Sequence, residues 1–470
     1  MTTTTLDRPR VAVPRSTGAR AAALLTVLLG AQLMAILDVN IVNVAAATIR
    51  TDLHASGASL QLIIAGYMIS YAVLLITGAR VGGLTGYRTA FLAGLAGFTA
   101  ASLACALAPS DALLTVFRFT QGAAAAFMIP QVFSLIQRHF EGPARARALG
   151  RYAAVIAGGV VVGQILGGVL VDADLWGTGW RPIFFINVPL GLAFLVAGLR
   201  LLPRDAAEPG RRLDVPGLVA LAAAVLAFVL PLLFGHQQGW PLWTWLSLGG
   251  SVLLFAAFAA VQSRVAHPLM PGRLFRVRGL VVGAVTMFAM MVAYGGYLFS
   301  VALHLQTGLG YSPLRAGLTF VPMALCFGAA SLNWRRLPAR WHDVMIPIGL
   351  TAAAASLAVI AAILHADGAP DIWFFVAQVP FGIGSGLAFS PLMGKALAGV
   401  APADASDASG LVTTTVQLAQ VVGVAGVGSL YLSLIGSHGS TAAVTVTVAS
   451  AGVASLIAAG TSLLLPRTPR

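Results

Sequence analysis

The feature that most constrains this chain is a recurrence of long apolar runs, each broken from the next by a short charged gap. A helix rises 1.5 Å per residue and a bilayer core is roughly 30 Å thick, so about 20 apolar residues suffice to cross it. Fourteen runs meet that length, at 22–47, 59–80, 89–108, 111–136, 150–172, 182–202, 214–234, 244–262, 279–303, 314–333, 344–365, 372–394, 409–433 and 441–464. With 58% hydrophobic and 9% charged residues over 470 positions, one soluble core could not bury the apolar surface, and lipid must solvate the rest. The expected fold class is an all-α polytopic membrane protein. Arg8, Arg10, Arg15 and Arg20 before the first run imitate a signal peptide, but that run is too long and carries Asp38, Asn40 and Asn43, so it reads as a retained span.

Arginine placement sets the expected orientation, because positively charged loops stay on the cytoplasmic side. With the N-terminus inside, alternate loops hold 24 of the 28 Lys and Arg; Arg50, Arg181 and Arg315 fall outside and Arg118 lies within a span. One missed span would scramble that alternation, so both termini are expected in the cytoplasm. Charged stretches at 203–213 and 263–278 divide the runs into six, two and six. The expected organisation is a mobile N-terminus (1–21), a six-helix bundle (22–202), linkers with two inserted helices (203–278), a second six-helix bundle (279–464) and a short tail (465–470). Two six-helix bundles suit a protein that rocks around a central site.

Several function classes are disfavoured. The net charge of +13 is spread through short gaps between apolar runs and forms no basic face for nucleic acid. The sole lysine, Lys395, is followed by Ala396 and lacks the glycine spacing of a phosphate loop. Gly382, Gly384 and Gly386 sit inside an apolar run, not at the strand-to-helix turn of a dinucleotide site. His139, His267 and His304 are scattered without metal-ligand spacing, and Cys105 and Cys326 lie in apolar runs as small hydrophobes. Neither a metal nor an organic cofactor is expected, and the chain does not read as an enzyme.

The chemistry lies inside the bilayer. Of 15 carboxylates only Asp38 falls well within a run, where an ionised group is costly and marks an ion path, a proton relay or a partner charge. Arg118, about two turns into the fourth run, cannot readily lose its proton and needs a partner or water. Asp38 is one candidate, and spacing alone does not bring the two together. Asn40, Asn43, Tyr67, Tyr71, Gln121, Gln131, Gln164 and Gln417 are candidates for a substrate cavity, each with helix bridging as the alternative. Gln32, Gln61, Gln378 and Gln420 share that ambiguity, and Met287, Met290, Met291, Tyr294 and Tyr297 could form an adaptable apolar wall. Gly159, Gly163 and Gly167 recur every four residues on one helix face and permit close approach; Gly168 extends the strip.

Four strings in this chain resemble the major facilitator superfamily, in particular its fourteen-span drug:proton antiporter branch of quaternary-ammonium and antibiotic efflux pumps. They are 37–45 around Asp38, 118–122 from Arg118 to Gly122, 180–191 from Trp180 to Gly191, and 310–317 from Gly310 to Gly317. The resemblance runs almost end to end. It implies that Asp38 handles the proton or cation and that Arg118 is linked to proton transfer. Two departures stand out. In the family's gating motif, at 78–88 with Arg80, Gly86 and Arg88, the aspartate is replaced by Gly83. In the antiporter motif of the fifth run, Gln164 stands where proline is usual.

The resulting expectation is a secondary active transporter of a bacterial cytoplasmic membrane, monomeric, using protons from outside to drive an amphipathic or cationic small molecule outward. Arginine and alanine richness fits a high-GC bacterial genome. A dedicated exporter or symporter of one metabolite is the alternative the fold permits. A polytopic membrane enzyme or a transport-dead sensor is the alternative from another class.

Overall fold

The computed structural model describes residues 18–205, 214–235, 238–265, 268, 272–400 and 405–466. The expected mobile N-terminus lies outside them as far as residue 17, as do parts of both linkers and the end of the tail. Sixteen α-helices follow one another, with no strand among the described residues. They are α1 (Gly18–Asp52), α2 (Gly57–Thr85), α3 (Tyr87–Ala106), α4 (Asp111–His139), α5 (Gly142–Asp172), α6 (Pro182–Phe185), α7 (Asn187–Leu201), α8 (Val215–Phe234), α9 (Leu242–Arg264), α10 (Arg278–Leu303), α11 (Pro313–Thr319), α12 (Val321–Asn333), α13 (Met345–Asp367), α14 (Ile372–Ala398), α15 (Ala405–Val422) and α16 (Gly428–Ser462). Among the described residues, twelve stretches are long and apolar enough to cross a membrane, one of them the 53 residues Gly410–Ser462. The protein is a multi-pass membrane protein.

The short polar gaps start these helices by supplying caps. Ser56, Ser110, Asp214, Ser312 and Asp371 accept backbone N–H bonds from the first turns of α2, α4, α8, α11 and α14. Proline opens α5, α6, α8, α11 and α12, where its missing N–H leaves no bond unmade. One residue interrupts each of two expected spans, Ile186 between α6 and α7 in the sixth and Phe320 between α11 and α12 in the tenth, but both keep right-handed helical φ/ψ and each run remains one stretch. Periodicity gave no sign of either interruption, since both sides are equally apolar. α16 is bent at Gly439, whose φ of 79° most other residues would resist.

Packing gathers α1–α7 and α10–α16 into two groups. Within the first, α2 lies on α4, α1 on α5 and α3 on α4 and α7; within the second, α10 lies on α14, α15 and α16, and α13 on α14 and α16. α8 and α9 pair with each other, and α8 leans on α2. Pro231 inside α8 cannot donate to the Ala227 carbonyl, and the Ser247 hydroxyl of α9 satisfies it at 2.8 Å. At the other end of the pair, Gln262 donates to Asp214 at 2.6 Å.

The two groups touch along seams. A Cβ on Gly317 of α11 would lie 2.5 Å from the Gln164 carbonyl, and one on Gly168 2.5 Å from the Leu314 Cα, so both sites demand glycine. Thr414 of α15 donates to the Ala72 carbonyl at 3.4 Å, and Ser429 of α16 to Gln61 at 3.3 Å.

Candidate functional site

Asp38 and Arg118 form an ion pair through Oδ2 and Nη1, each only 1% exposed. The pairing follows from helix packing: α1 and α4 are adjacent, and α2 flanks both. Two further donors reach the carboxylate. Gln121, one turn beyond Arg118, donates from Nε2 to Asp38 Oδ1 at 2.8 Å, and Asn187 donates from Nδ2 to the same oxygen at 3.2 Å. Asp38 thus accepts from three side chains, which suits an ionised carboxylate and not a protonated one.

Arg118 is equally tied. Its Nε donates to the Ile63 carbonyl at 3.2 Å and its Nη1 to Gln121 Oε1 at 2.6 Å, while the guanidinium lies 4.7 Å from the Tyr67 ring centroid and 5.5 Å from that of Phe184. Gln121 also donates to Ser102 at 2.8 Å and accepts a weak bond from the Cys105 thiol at 3.7 Å. A proton added to Asp38 would leave a hydroxyl facing donors and a guanidinium without its counter-charge.

Asn187 is the partner of Asp38 that sequence reasoning missed. It sits in the 180–191 string without an assigned role, and the interruption at Ile186 makes it the first residue of α7, 2% exposed. Ser102 was missed because an isolated serine is common in membrane helices; Cys105, read as a small hydrophobe, is buried but touches the cluster. A polar side chain in an otherwise apolar motif was the available signal for Asn187.

The other cavity candidates divide. Asn40 and Asn43 donate to carbonyls of their own helix, at 2.7 and 3.2 Å. Gln131 bridges α4 to the Gly78 carbonyl of α2 at 2.8 Å. Tyr67 and Tyr71 stack with centroids 6.1 Å apart. Gln164 and Gln417 each hold a buried oxygen with no hydrogen-bond partner, as does Asn43. Gly159, Gly163 and Gly167 face α1, where a Cβ would meet Ile36, Asn40 and Ile41 at 2.8–2.9 Å. Gly168 leaves that strip and faces α11, because the next helical residue is turned by about 100°.

At one end of the bundle, Asp52 accepts from the Trp180 indole and from Arg181, both at 2.9 Å. The indole bond first, and then the guanidinium, hold the Asp52 carboxyl below its usual range. At the opposite end lies the altered gating motif. Arg80 donates to the Pro268 carbonyl, and Arg88 donates to the Leu199 carbonyl at 2.9 Å. Gly86, at φ 92°, turns the chain so that the N–H groups of Tyr87 and Arg88 meet Asp205 at 2.5 and 3.2 Å. An acid from beyond α7 thus caps α3 close to where Gly83 has removed one.

The second helix group has a different interior. Tyr297 lies edge-on to Phe381 at 5.0 Å and to Phe320 at 6.1 Å, and Tyr294 packs on Phe327 at 5.9 Å. Gln378 donates to the Thr319 carbonyl at 2.8 Å, beside the interruption between α11 and α12. The Tyr297 hydroxyl and the Gln378 carbonyl oxygen are buried without hydrogen-bond partners.

The Major Facilitator Superfamily model matches residues 28–424. The chain belongs to the major facilitator superfamily. It is 37% identical over 434 residues to a probable actinorhodin transporter of Streptomyces coelicolor, covering 89% of this chain and 74% of the relative. It is 36% identical to a puromycin resistance protein of Streptomyces alboniger, covering 94% and 89%, and 35% identical to a tetracenomycin C resistance and export protein of Streptomyces glaucescens, covering 93% and 81%. These relatives belong to the drug-efflux branch of the superfamily. The fold is shared with a solved bacterial homologue of the human drug peptide transporters PepT1 and PepT2, at a TM-score of 0.65 and 14% identity over 95% of this chain and 98% of the other. Superfamily membership and transporter relatives point away from an enzyme.

Proposed function

We propose that this protein is a proton-coupled antiporter that exports amphipathic, drug-like compounds across a bacterial cytoplasmic membrane. The single observation that carries the coupling is the buried Asp38–Arg118 pair with Gln121 and Asn187 on the same carboxylate. A proton reaching Asp38 from outside releases Arg118, and the α1–α4 contact is reset; deprotonation toward the inside restores it. Each proton moved down 100 mV supplies about 2.3 kcal/mol, enough to hold a cargo gradient of roughly 40-fold. The export cargo is supported by the relatives, named for resistance to or export of antibiotics.

In this reading the chain crosses the membrane fourteen times with both termini inside. A straight helix over the 53 residues Gly410–Ser462 would measure about 80 Å, more than twice a bilayer core, so it counts as two spans divided at Gly439. The 31 residues of α5 supply a further one. Two six-helix bundles then flank the α8–α9 insert, and the protein works as a monomer. Arg80, Gly86 and Arg88 control the cytoplasmic gate, and Gly159, Gly163, Gly167 and Gly168 set how closely α5 approaches its neighbours. Asn40, Asn43, Tyr67, Tyr71, Gln131, Gln164 and Gln417 flank the cargo path.

A narrower cargo is the second reading, favoured by relatives each named for one compound. Ethidium accumulation in efflux-deficient bacteria, with wild type and Asp38→Asn at matched membrane levels, tests both. Lower accumulation that an uncoupler or the variant abolishes is the expected result. A well-expressed wild type that leaves accumulation unchanged rejects broad cation export and turns the question to single compounds.

A further inference from the structure

A cavity of 380 Å³ opens between the α8–α9 pair and α15, away from the Asp38 cluster. Its walls are apolar, with Leu221 from α8, Phe255 and Phe258 from α9, Phe275 from the segment after α9, and Leu411 and Leu418 from α15. One end is different. Gln262, Ser263 and Gly272 line it, and three lining residues are each followed by an arginine: Ser263 by Arg264, Gly272 by Arg273, Phe275 by Arg276. All three arginines are exposed, and Arg278 follows two positions later. Sidedness read from the arginine distribution puts this end at the cytoplasmic leaflet, where anionic lipids reside.

We propose that this cavity binds an anionic phospholipid, with an acyl chain between the phenylalanines and leucines and its phosphate against Arg264 and Arg276. An apolar slot whose polar end is followed along the chain by exposed arginines suits a lipid with a negative head better than a zwitterionic one. The position gives such a lipid leverage. Thr414 of the cavity wall bonds to Ala72 of α2, and Gln262 of the wall donates to Asp214 at the start of α8. A lipid seated here braces the inserted pair against both helix groups.

The inference uses the orientation of the proposed exporter, but its test reads lipid binding and not transport. The full chain is purified, stripped of lipid and titrated with phosphatidylglycerol or with phosphatidylcholine of the same chains, and bound lipid is counted by native mass spectrometry. Wild type is expected to prefer phosphatidylglycerol. At about 5-fold per arginine, Arg264→Gln with Arg276→Gln should cost about 25-fold in phosphatidylglycerol affinity and leave phosphatidylcholine unchanged. Leu418→Trp, which fills the slot without touching charge, should lower retention of both lipids. Equal retention of the two lipids by wild type, unchanged binding in both variants, or displacement of the lipid by ethidium would overturn the proposal.

Discussion

The two helix groups are filled differently. In the first, the interior holds a buried ion pair: Asp38 accepts from Arg118, Gln121 and Asn187. In the second, the interior is aromatic, with Tyr294, Tyr297, Phe320, Phe327 and Phe381 in contact, and its polar atoms are left over, as with Tyr297 Oη and Gln378 Oε1. A satisfied charge network resists moving until its proton count changes. An aromatic cluster with spare hydrogen-bonding capacity accepts variable shapes. In the proposed function the first group carries the energy coupling, and the second adds an aromatic wall to a cargo path that first-group residues such as Tyr67 and Gln131 also flank.

The largest effect should come from breaking the charged side. Asp38→Asn leaves Arg118 buried without its counter-ion, a change that costs about 3–5 kcal/mol in comparable pairs. Uncoupler-sensitive efflux should vanish at matched membrane levels, and thermal melting in detergent should fall. Arg118→Lys keeps the charge but loses the fork that reaches Ile63, Gln121 and Asp38 together, so efflux should drop by more than about 10-fold even though the protein folds. Asn187→Ala removes one bond to the carboxylate, on the order of 1.5–3 kcal/mol, and should slow efflux by about 10-fold or more.

Tyr297→Phe tests the aromatic side. Because its hydroxyl has no partner, melting should change by less than about 0.5 kcal/mol, while the half-saturating concentration for cargo shifts and proton coupling persists. A loss of coupling in this variant would merge the two roles. The smallest effect is expected at the periphery. Asp52, held below its usual range by Trp180 and Arg181, stabilises the fold above the unfolded carboxylate value, and that contribution is lost as pH falls through its folded value. Asp52→Asn should therefore melt slightly earlier than wild type near neutral pH and converge with it in acid, a comparison that pH-dependent melting curves make directly.

The sequence made the helical membrane class legible because a bilayer imposes a length that runs of apolar residues cannot hide. It made Asp38 and Arg118 legible because charges there are rare. It did not make their contact legible, since α1 and α4 are 80 residues apart at that point and only packing brings them together. Asn187 escaped notice because neutral amides are inexpensive in membrane helices and some, like Asn40, bond only to their own backbone. The interruptions at Ile186 and Phe320 were hidden because apolar residues continue through both. Gly168 was grouped with Gly159, Gly163 and Gly167 by composition, whereas helix geometry sends it to the opposite partner.

The most direct test of the central claim is proton release on cargo binding. Purified protein in weakly buffered detergent, mixed with ethidium near neutral pH, is followed with a pH indicator dye. The account predicts proton release from wild type and none from Asp38→Asn. Release of the same size from Asp38→Asn would contradict it and move the coupling site elsewhere in the protein.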